Sequence, residues 1–454
     1  MTDAESDLRS HSDQFKPIAI TEIELGSPIP TISALSDDGV RYGSVRLIVR
    51  LHSKTVGTVD VDLAAQDLPP RACAEAIWVT LGPKINAHLR SDLLPEVERI
   101  DDEGLPSPVS PPCLDQRAAA LLDPPPVSVV ICTRNRADLL ARTLASFEAL
   151  EYPNYELLVV DGSHSRQTAD VVQERFPNAR YFHVGDHGRS FALNRGISAA
   201  QGSIVAFTDD DVRVDAHWLA ELVAGFDDRR VACVTGIAFP MELRTQAQVW
   251  FEESGGFTEG FESRTIGLDL PAQPGSLLPF ATGKIGAGVN MAWRRELLRE
   301  IDGFDLALDT LTPVWPPGAR HSSSGEDLSA FFDALVRGYI LVFQPSAIVF
   351  HEHRRTYEEL ERQIYWHGIG LSAHLTRSLL AQPKQIPAFL RRIPQGVVYG
   401  FGTSSIRNDR KSADFPSTLT RAEWLGVVTG PLAYLKGLPR ARRIRASLVA
   451  EASR

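Results

Sequence analysis

The sequence of 454 residues contains few cysteines, and these lie far apart. Cys73, Cys113, Cys132 and Cys233 include no C-x-x-C pair. This spacing argues against a disulfide scaffold and against a cysteine-rich zinc module. Reduced thiols in a cytoplasmic protein are therefore the expectation.

The sequence also lacks a long apolar run. The longest candidate, residues 425–435, is shorter than the roughly 18 residues that a membrane-spanning helix needs. Residues 1–13 are acidic and polar and do not show the basic and apolar regions of a secretory signal. We therefore expect a cytoplasmic protein that is not integral to the membrane.

Charge is distributed unevenly along the chain, whose formal net charge is −10. Residues 377–454 carry fourteen Lys and Arg against four Asp and Glu, so the preceding part is strongly acidic. An acidic body argues against a nucleic-acid-binding core, whereas a basic tail permits contact with an anionic surface.

The basic tail contains an apolar stretch with aromatic edges and a cationic end, residues 424–445. This composition favours a segment that lies at an anionic membrane interface, at the inner face of the membrane. The alternative is a C-terminal helix that covers the catalytic domain. Pro431 and Pro439 are expected to interrupt any long helix in this stretch.

Three domains are predicted. Residues 1–122 form an α+β accessory domain with strand-like segments at 45–51 and 55–63, and this domain ends in a proline-rich linker that should be extended. Residues 123–376 form the catalytic domain, and residues 377–454 form a basic helical extension. The accessory domain carries no recognisable chemistry.

The catalytic domain alternates short apolar strands with amphipathic helices. The strands are predicted at 127–132, 156–160, 181–184 and 203–207. Such alternation predicts an α/β fold with a mostly parallel, Rossmann-like sheet flanked by helices. Ligands bind beyond the carboxyl ends of such strands.

Polar clusters follow three of these strands, at 133–136, 161–163 and 209–211. Consecutive carboxylates after a buried strand suit a hard divalent ion, Mg²⁺ or Mn²⁺. In an extended chain Asp209 and Asp211 point to the same side and Asp210 to the other. The alternative is a solvated acidic turn or a helix cap.

Four ordered segments of this domain resemble family 2 glycosyltransferases. They read VSVVICTRNR over residues 127–136, LLVVDGS over 157–163, GRSFALNRGISAAQG over 188–202 and FTDDD over 207–211. The resemblance covers about residues 125–375. It implies the GT-A fold, a divalent metal, and inverting transfer of a sugar from a nucleotide diphosphate, with UDP as the expected nucleotide.

The resemblance also implies roles for single residues. Asp161 would hydrogen-bond the base, Asp209 would lie near the ribose, and Asp211 would hold the metal on the diphosphate. The chain departs from the family at Leu193, where an Arg often stands; Arg189 lies four residues earlier. The expected nucleotide-sugar ligands are Thr133, Asn135, Arg136, Asp161, Ser163, Arg189, Asn194, Asp209 and Asp210.

A glycine-rich stretch, residues 282–295, is expected on the acceptor side, although a strand with a bulge would explain it equally. Glu326 and Asp327 then open an amphipathic helix. An inverting transfer needs a carboxylate that takes the proton of the acceptor hydroxyl, and the family uses this pair, so Asp327 is preferred over Glu326. Favourable placement near the helix dipole is the structural alternative.

His351 ends an apolar run much as Asp211 does, so it is a candidate third metal ligand beside Asp209 and Asp211. A histidine that is only hydrogen-bonded at a strand end is the alternative. The expected acceptor is a hydroxyl of a glycan, a glycolipid or a natural product. Two other functions stay open: a non-catalytic nucleotide-sugar scaffold, and a nucleotidyltransferase, although residues 133–136 lack the glycines of a phosphate loop.

Overall fold

The computed structural model describes residues 15–64, 66–107, 109–185, 187–257, 260–271, 276–311, 324–401 and 410–452. The acidic start of the chain and His321, which precedes the predicted base, lie outside these ranges.

The N-terminal part is built on a three-stranded sheet with the strands β1 (Ile18–Glu24), β2 (Ser44–Leu51) and β3 (Lys54–Asp62). β1 pairs in parallel with β2, and β2 pairs antiparallel with β3. Two helices follow, α1 (Pro70–Ser91) and α2 (Pro112–Ala120). The proline-rich linker is therefore shorter than expected, because Pro112 starts a helix.

The catalytic part contains a nine-stranded sheet in the order β10-β12-β9-β11-β7-β4-β5-β6, with β8 paired to β12. Six strands run in one direction, and β8, β10 and β11 run against them. The mostly parallel α/β fold is thus confirmed. The strands are β4 (Val127–Thr133), β5 (Tyr155–Asp161), β6 (Arg180–His183), β7 (Ile204–Thr208), β8 (Val212–Val214), β9 (Val231–Pro240), β10 (Arg264–Ile266), β11 (Asn290–Arg294) and β12 (Ile340–His351).

Helices cover both faces of this sheet. One apolar core packs α3 and α6 on one face, and a second packs α5, α8 and α9 on the other. The helices are α3 (Ala137–Ser146), α4 (Gln167–Arg175), α5 (Arg189–Ala199), α6 (Trp218–Ala224), α7 (Gln246–Glu253), α8 (Arg295–Glu300), α9 (Glu326–Val336), α10 (Tyr357–Ala381), α11 (Ile386–Phe401) and α12 (Ser417–Ala452).

Strand register places the polar strand ends together. Thr133 pairs with Asp161 across β4 and β5, and β7 ends beside β4. Val212, the residue after the aspartate trio, pairs with His351 at the end of β12. The trio and His351 therefore meet at one edge of the sheet, as the strand pattern predicts.

The C-terminal helix α12 continues through Pro431 and Pro439, so the prediction that these prolines interrupt it is wrong. Packing explains the result, because α12 lies along α10 with small residues at the contact. A side chain at Gly368 would bring its Cβ 2.1 Å from the Glu423 carbonyl oxygen. This contact offsets the hydrogen bonds that the prolines remove. The domain boundary expected at residue 376 falls inside α10.

Ion pairs join the N-terminal part to the catalytic part. The guanidinium of Arg50 on β2 lies 2.5 Å from the carboxylate of Asp215. Asp215 follows Asp211 by four residues in the sequence. Lys54 and Arg117 both contact the buried carboxylate of Glu221 on α6, at 2.6 and 3.4 Å. The accessory part therefore packs directly behind the strands that carry the polar cluster.

Within the described ranges, none of the helices combines the length and the apolar composition needed to cross a bilayer.

Candidate functional site

A cleft of about 930 Å³ opens beyond the carboxyl ends of β4 and β7. Strand ends form its floor, and α9, α10 and α12 contribute to its walls. Polar residues that line it include Thr133, Arg136, Arg189, Asp209, Asp210, Asp211, Asp309, Glu326, Asp327, His351, Arg354, Arg362 and Arg440.

The middle carboxylate of the aspartate trio faces the β4–α3 turn. Asp210 accepts hydrogen bonds from the Thr133 hydroxyl at 2.7 Å and from the Arg136 guanidinium at 3.1 Å. Burial and the neighbouring Asp211 charge raise the pKa of Asp210 to about 6. The same Arg136 nitrogen lies 3.0 Å from Asp211, so this guanidinium bridges Asp210 and Asp211. Asp210 and Asp211 lie in a turn, so the alternation expected of an extended chain does not apply to them.

Asp209, Asp211 and His351 form a compact cluster in which one ligand atom from each residue lies within 4.8 Å of the others. Burial disfavours the charged form of Asp211, but His351 and Arg136 outweigh it and hold the Asp211 pKa below its usual value. Burial lowers the pKa of His351, because it disfavours the charged imidazolium. The Asp211 charge raises this pKa by more, so the net shift is upward.

The cluster has the features of a divalent metal site. Asp211 Oδ1 is buried and accepts no hydrogen bond from the described residues, although His351 Nε2 lies 3.3 Å away. Two carboxylates and one imidazole suit Mn²⁺, and the carboxylates suit Mg²⁺. The donor atoms present therefore fit the expected metal.

Arg189 connects this cluster to the opposite wall. Its guanidinium lies 2.6 Å from Asp209 and 3.0 Å from Glu326. It begins α5, directly after Gly188 with φ +101°, where a Cβ would lie 2.5 Å from the Asp309 carboxylate. Only glycine allows this close approach.

Asp309 caps the start of α5 from a distant loop. Its two oxygens accept hydrogen bonds from the backbone N–H groups of Ser190 and Phe191, at 2.8 and 2.9 Å. Sequence reasoning missed this residue because it lies more than a hundred positions from the helix that it caps, outside any local pattern.

The predicted base opens α9, as expected. Asp327 accepts hydrogen bonds from the backbone N–H groups of Gly288 and Leu328, both at 2.8 Å. Burial first, and then the neighbouring Glu326 charge, raise its pKa to about 6. Glu326 is paired with Arg189, whereas the Asp327 carboxylate makes no ion pair with another described residue. The glycine-rich stretch thus contacts the predicted base.

Two expected donor ligands do not face the cleft. The Asn194 amide accepts a hydrogen bond from the backbone N–H of Phe304 at 2.9 Å and donates one to its C=O at 2.7 Å. Its predicted contact with the nucleotide sugar is thus corrected: the amide stabilises the turn at Phe304. Asp161 is fully buried and accepts hydrogen bonds from the Ser163 N–H and the Tyr181 hydroxyl, at 2.8 and 2.7 Å. Its carboxylate is therefore not placed to contact a base.

Ser163 and Asn135 are not among the residues that line the cleft, although their neighbours Gly162 and Arg134 are. The buried Ser163 hydroxyl accepts a hydrogen bond at 2.7 Å from the backbone of Asn135, so Ser163 supports the β4–α3 turn and is not placed to bind a donor. Asn135 is exposed in this turn with φ +55°, and its side chain accepts a hydrogen bond from the His164 N–H. Its proposed donor contact stays a prediction.

Sequence reasoning also missed the cations that line the outer wall. Arg354 lies 3.7 Å from Asp211, and Arg362 and Arg440 come from α10 and α12. The basic run after His351 was a signal for Arg354. The other two could not be placed without the packing of the C-terminal helices.

Comparison with known proteins shows what this chain is similar to. Residues 128–301 match the profile of the family described as "Glycosyl transferase family 2". The pre-mycofactocin glycosyltransferase of Mycobacterium tuberculosis is 27% identical over 244 residues, which cover 53% of this chain and 46% of that protein. The aligned part thus spans about half of that relative.

Two further proteins are similar to this chain. The glucosyl-dolichyl phosphate glucuronosyltransferase of Haloferax volcanii is 24% identical over 252 residues, which cover 53% of this chain and 75% of that protein. The solved mannosyltransferase of Pyrobaculum calidifontis, in complex with GDP-Man and Mn²⁺, superposes with a TM-score of 0.40 and 19% identity. That superposition covers 75% of this chain and 86% of the mannosyltransferase.

Proposed function

Because the chain belongs to glycosyl transferase family 2, we propose that it is an inverting, metal-dependent glycosyltransferase. It moves a sugar from a nucleotide-diphosphate donor to a hydroxyl of an acceptor. The observation that supports this most strongly is the placement of the Asp209–Asp211–His351 cluster and Asp327 in one cleft.

The acceptor step depends on Asp327. A general base must be ionised and free of a cation if it is to take a proton from the attacking hydroxyl. Asp327 lines the cleft, and its raised pKa lies close to neutral pH. The two backbone N–H groups orient the carboxylate and leave lone pairs for the acceptor proton. Attack on the anomeric carbon from this side, with departure of the diphosphate on the other, inverts the configuration.

The donor step depends on the opposite wall. Asp209, Asp211 and His351 would hold Mn²⁺ or Mg²⁺, which offsets the charge that develops on the departing diphosphate. Arg136 and Arg354 lie beside Asp211 and are placed to add positive charge there. Arg189 contacts Asp209 on one wall and Glu326 on the other. It can therefore hold the Asp209–Asp211–His351 cluster at a fixed distance from the helix turn that carries Asp327.

Two other functions fit these contacts less well. A scaffold that only bound nucleotide sugars would have no use for the raised pKa of Asp327. A nucleotidyltransferase needs a phosphate loop at the end of the first strand, and here that position carries Thr133 and Arg136, whose side chains are bound to Asp210.

The donor can be identified without knowledge of the acceptor. We expect one nucleotide sugar in a panel of UDP, GDP and dTDP sugars to raise the melting temperature when Mn²⁺ is present. The same sugar should give slow donor hydrolysis, measured as nucleotide release. If no nucleotide sugar shifts melting and none is hydrolysed, the proposed activity is wrong.

Activity should depend on pH through Asp327. The folded-state pKa is raised to about 6, so the carboxyl group carries a proton below this value and gains its basic form as pH increases. We expect kcat/KM for nucleotide release to decrease tenfold per pH unit well below pH 6 and to level off above it. A profile that is flat from acid to neutral pH would contradict this assignment.

We further propose that α12 contacts an anionic membrane surface through an apolar stripe of Leu425, Val428, Leu432 and Leu435. All four are exposed, and their spacing of three and four residues puts them on one face of the helix. The cations Lys436, Arg440, Arg442 and Arg443 follow directly. The same helix lines the cleft through Arg440, which would place the cleft near lipid-linked acceptors.

Val428→Asp should weaken binding to vesicles of anionic lipids by about tenfold, since it removes one apolar side chain that the membrane contact would bury and adds a negative charge. The matched control is Val79→Asp on α1, because Val79 is similarly exposed, at 78% against 74% for Val428. Vesicle sedimentation measures both. Equal binding of the two variants, or a wild type that stays in the supernatant, would rule out this contact.

A further inference from the structure

A second cluster of metal-ligating side chains lies in the N-terminal part. It consists of His52, His88, Asp92 and Cys113, and one ligand atom of each lies within 4.8 Å of the others. The four residues come from three separate places: the β2–β3 turn, the end of α1, and the start of α2. None of them belongs to the cleft.

Three of the four side chains converge on one carboxylate oxygen of the fourth, Asp92. His52 Nδ1, Cys113 Sγ and His88 Nε2 lie 2.7, 2.9 and 3.2 Å from Asp92 Oδ2. Four ligands at the usual zinc distances would lie about 3.3–3.6 Å apart in a tetrahedron. Small outward shifts of the side chains would therefore make room for an ion.

Hydrogen bonds alone satisfy this arrangement poorly. His52 Nδ1 and His88 Nε2 lie 3.2 Å apart, so if both donated to Asp92 their two N–H groups would face each other. A cation at the centre would use the lone pairs of both rings and would remove the conflict.

The turn that carries His52 is held in an unusual conformation. His52 and Ser53 have φ values of +55° and +63°, which non-glycine residues rarely adopt. Glu24 accepts hydrogen bonds from the backbone N–H groups of both, at 3.0 and 2.8 Å. A two-residue loop between antiparallel strands favours positive φ at both positions, and this turn holds His52 with its Nδ1 2.7 Å from Asp92.

We propose that His52, His88, Asp92 and Cys113 form a structural zinc site. One thiolate, two imidazoles and one carboxylate form a closed set of four ligands, which is typical of structural zinc, and the sulfur disfavours Mg²⁺ and Ca²⁺. Binding releases the thiol proton of Cys113 to solvent, because the thiolate is the ligand.

The site would connect elements within the accessory part that contact the catalytic part. Lys54 follows the His52 turn, and Arg117 lies one helical turn after Cys113; both contact Glu221 on α6. An ion that holds the turn and α2 together would therefore fix both cations against α6. Its role would be to set the position of the accessory part, separate from the chemistry of the cleft.

The test uses the full chain, stripped with a chelator and titrated with Zn²⁺ or Co²⁺. We expect one tight equivalent of Zn²⁺, a visible Co²⁺ spectrum with a thiolate charge-transfer band, and a higher melting temperature with Zn²⁺. Cys113→Ala should abolish the charge-transfer band and weaken Zn²⁺ binding by more than the 10–100-fold that loss of an outer-shell partner costs. Asp211→Asn in the cleft should keep the band and the tight equivalent.

Cys73→Ala is the matched control, since Cys73 is a buried thiol of the same part that lies outside the cluster. If Cys113→Ala does not fold, the rate at which Cys113 is alkylated in the wild type tests the site instead. Zn²⁺ should protect Cys113 from iodoacetamide by at least tenfold, and the chelator should remove the protection. A wild type without a thiolate–Co²⁺ band, or unchanged alkylation with Zn²⁺, would show that the cluster is only hydrogen-bonded and would overturn the proposal.

Discussion

Asp327→Asn is expected to reduce sugar transfer by about 10²–10⁴-fold while the affinity for the donor changes little. The amide has nearly the shape of the carboxylate but cannot take the acceptor proton. The Gly288 and Leu328 N–H groups donate to different oxygens of Asp327, so the amide can keep only one of these two hydrogen bonds. Steady-state turnover and calorimetric donor binding measure the two effects separately.

Glu326→Gln is the control from the same helix turn. Glu326 forms an ion pair with Arg189, and Glu326→Gln removes the charge of this pair. We expect this variant to lower activity less than Asp327→Asn does. Thermal melting shows whether both variants fold. Unimpaired turnover by Asp327→Asn would exclude Asp327 as the base, and a larger loss in Glu326→Gln would transfer that role to Glu326.

The second large effect is expected for the metal cluster. Asp211→Asn should weaken Mn²⁺ binding by about 10²-fold or more, because it removes a charged ligand from a buried position. Donor affinity should decrease with it, since the diphosphate then lacks its counter-charge. Chelation of the wild type with EDTA should give the same loss of activity, and Mn²⁺ should restore only the wild type.

Asp210→Asn is the neighbouring control. Asp210 is equally buried but is held by Thr133 and Arg136, outside the cluster of ligand atoms. We expect it to keep most of the Mn²⁺ affinity, measured by calorimetry in the presence of the nucleotide. If the two variants lose Mn²⁺ equally, the ion is not held by the Asp209–Asp211–His351 set.

Much of this cleft could be predicted from local patterns. Short apolar strands that alternate with amphipathic helices predict a parallel sheet, and the polar residues after each strand then converge at one edge. This logic brought Asp209, Asp211 and His351 together correctly. It also placed Asp327 at the start of a helix, where the structure has it.

The failures have a common origin in packing. Asn194 and Asp161 lie at the helix and strand positions that suit ligand binding. Their side chains are instead hydrogen-bonded to Phe304 and Tyr181, which come from other parts of the chain. The two prolines of α12 are tolerated because α10 packs against the helix. No local pattern contains such contacts.

The strand–helix alternation and the chemistry available at each strand end could be predicted from local sequence, because both depend on neighbours within a few residues. Which cations and carboxylates meet depends instead on long-range packing. Arg189 reaches Glu326, and Cys113 reaches Asp92, because helices and turns pack at distances that sequence spacing does not encode.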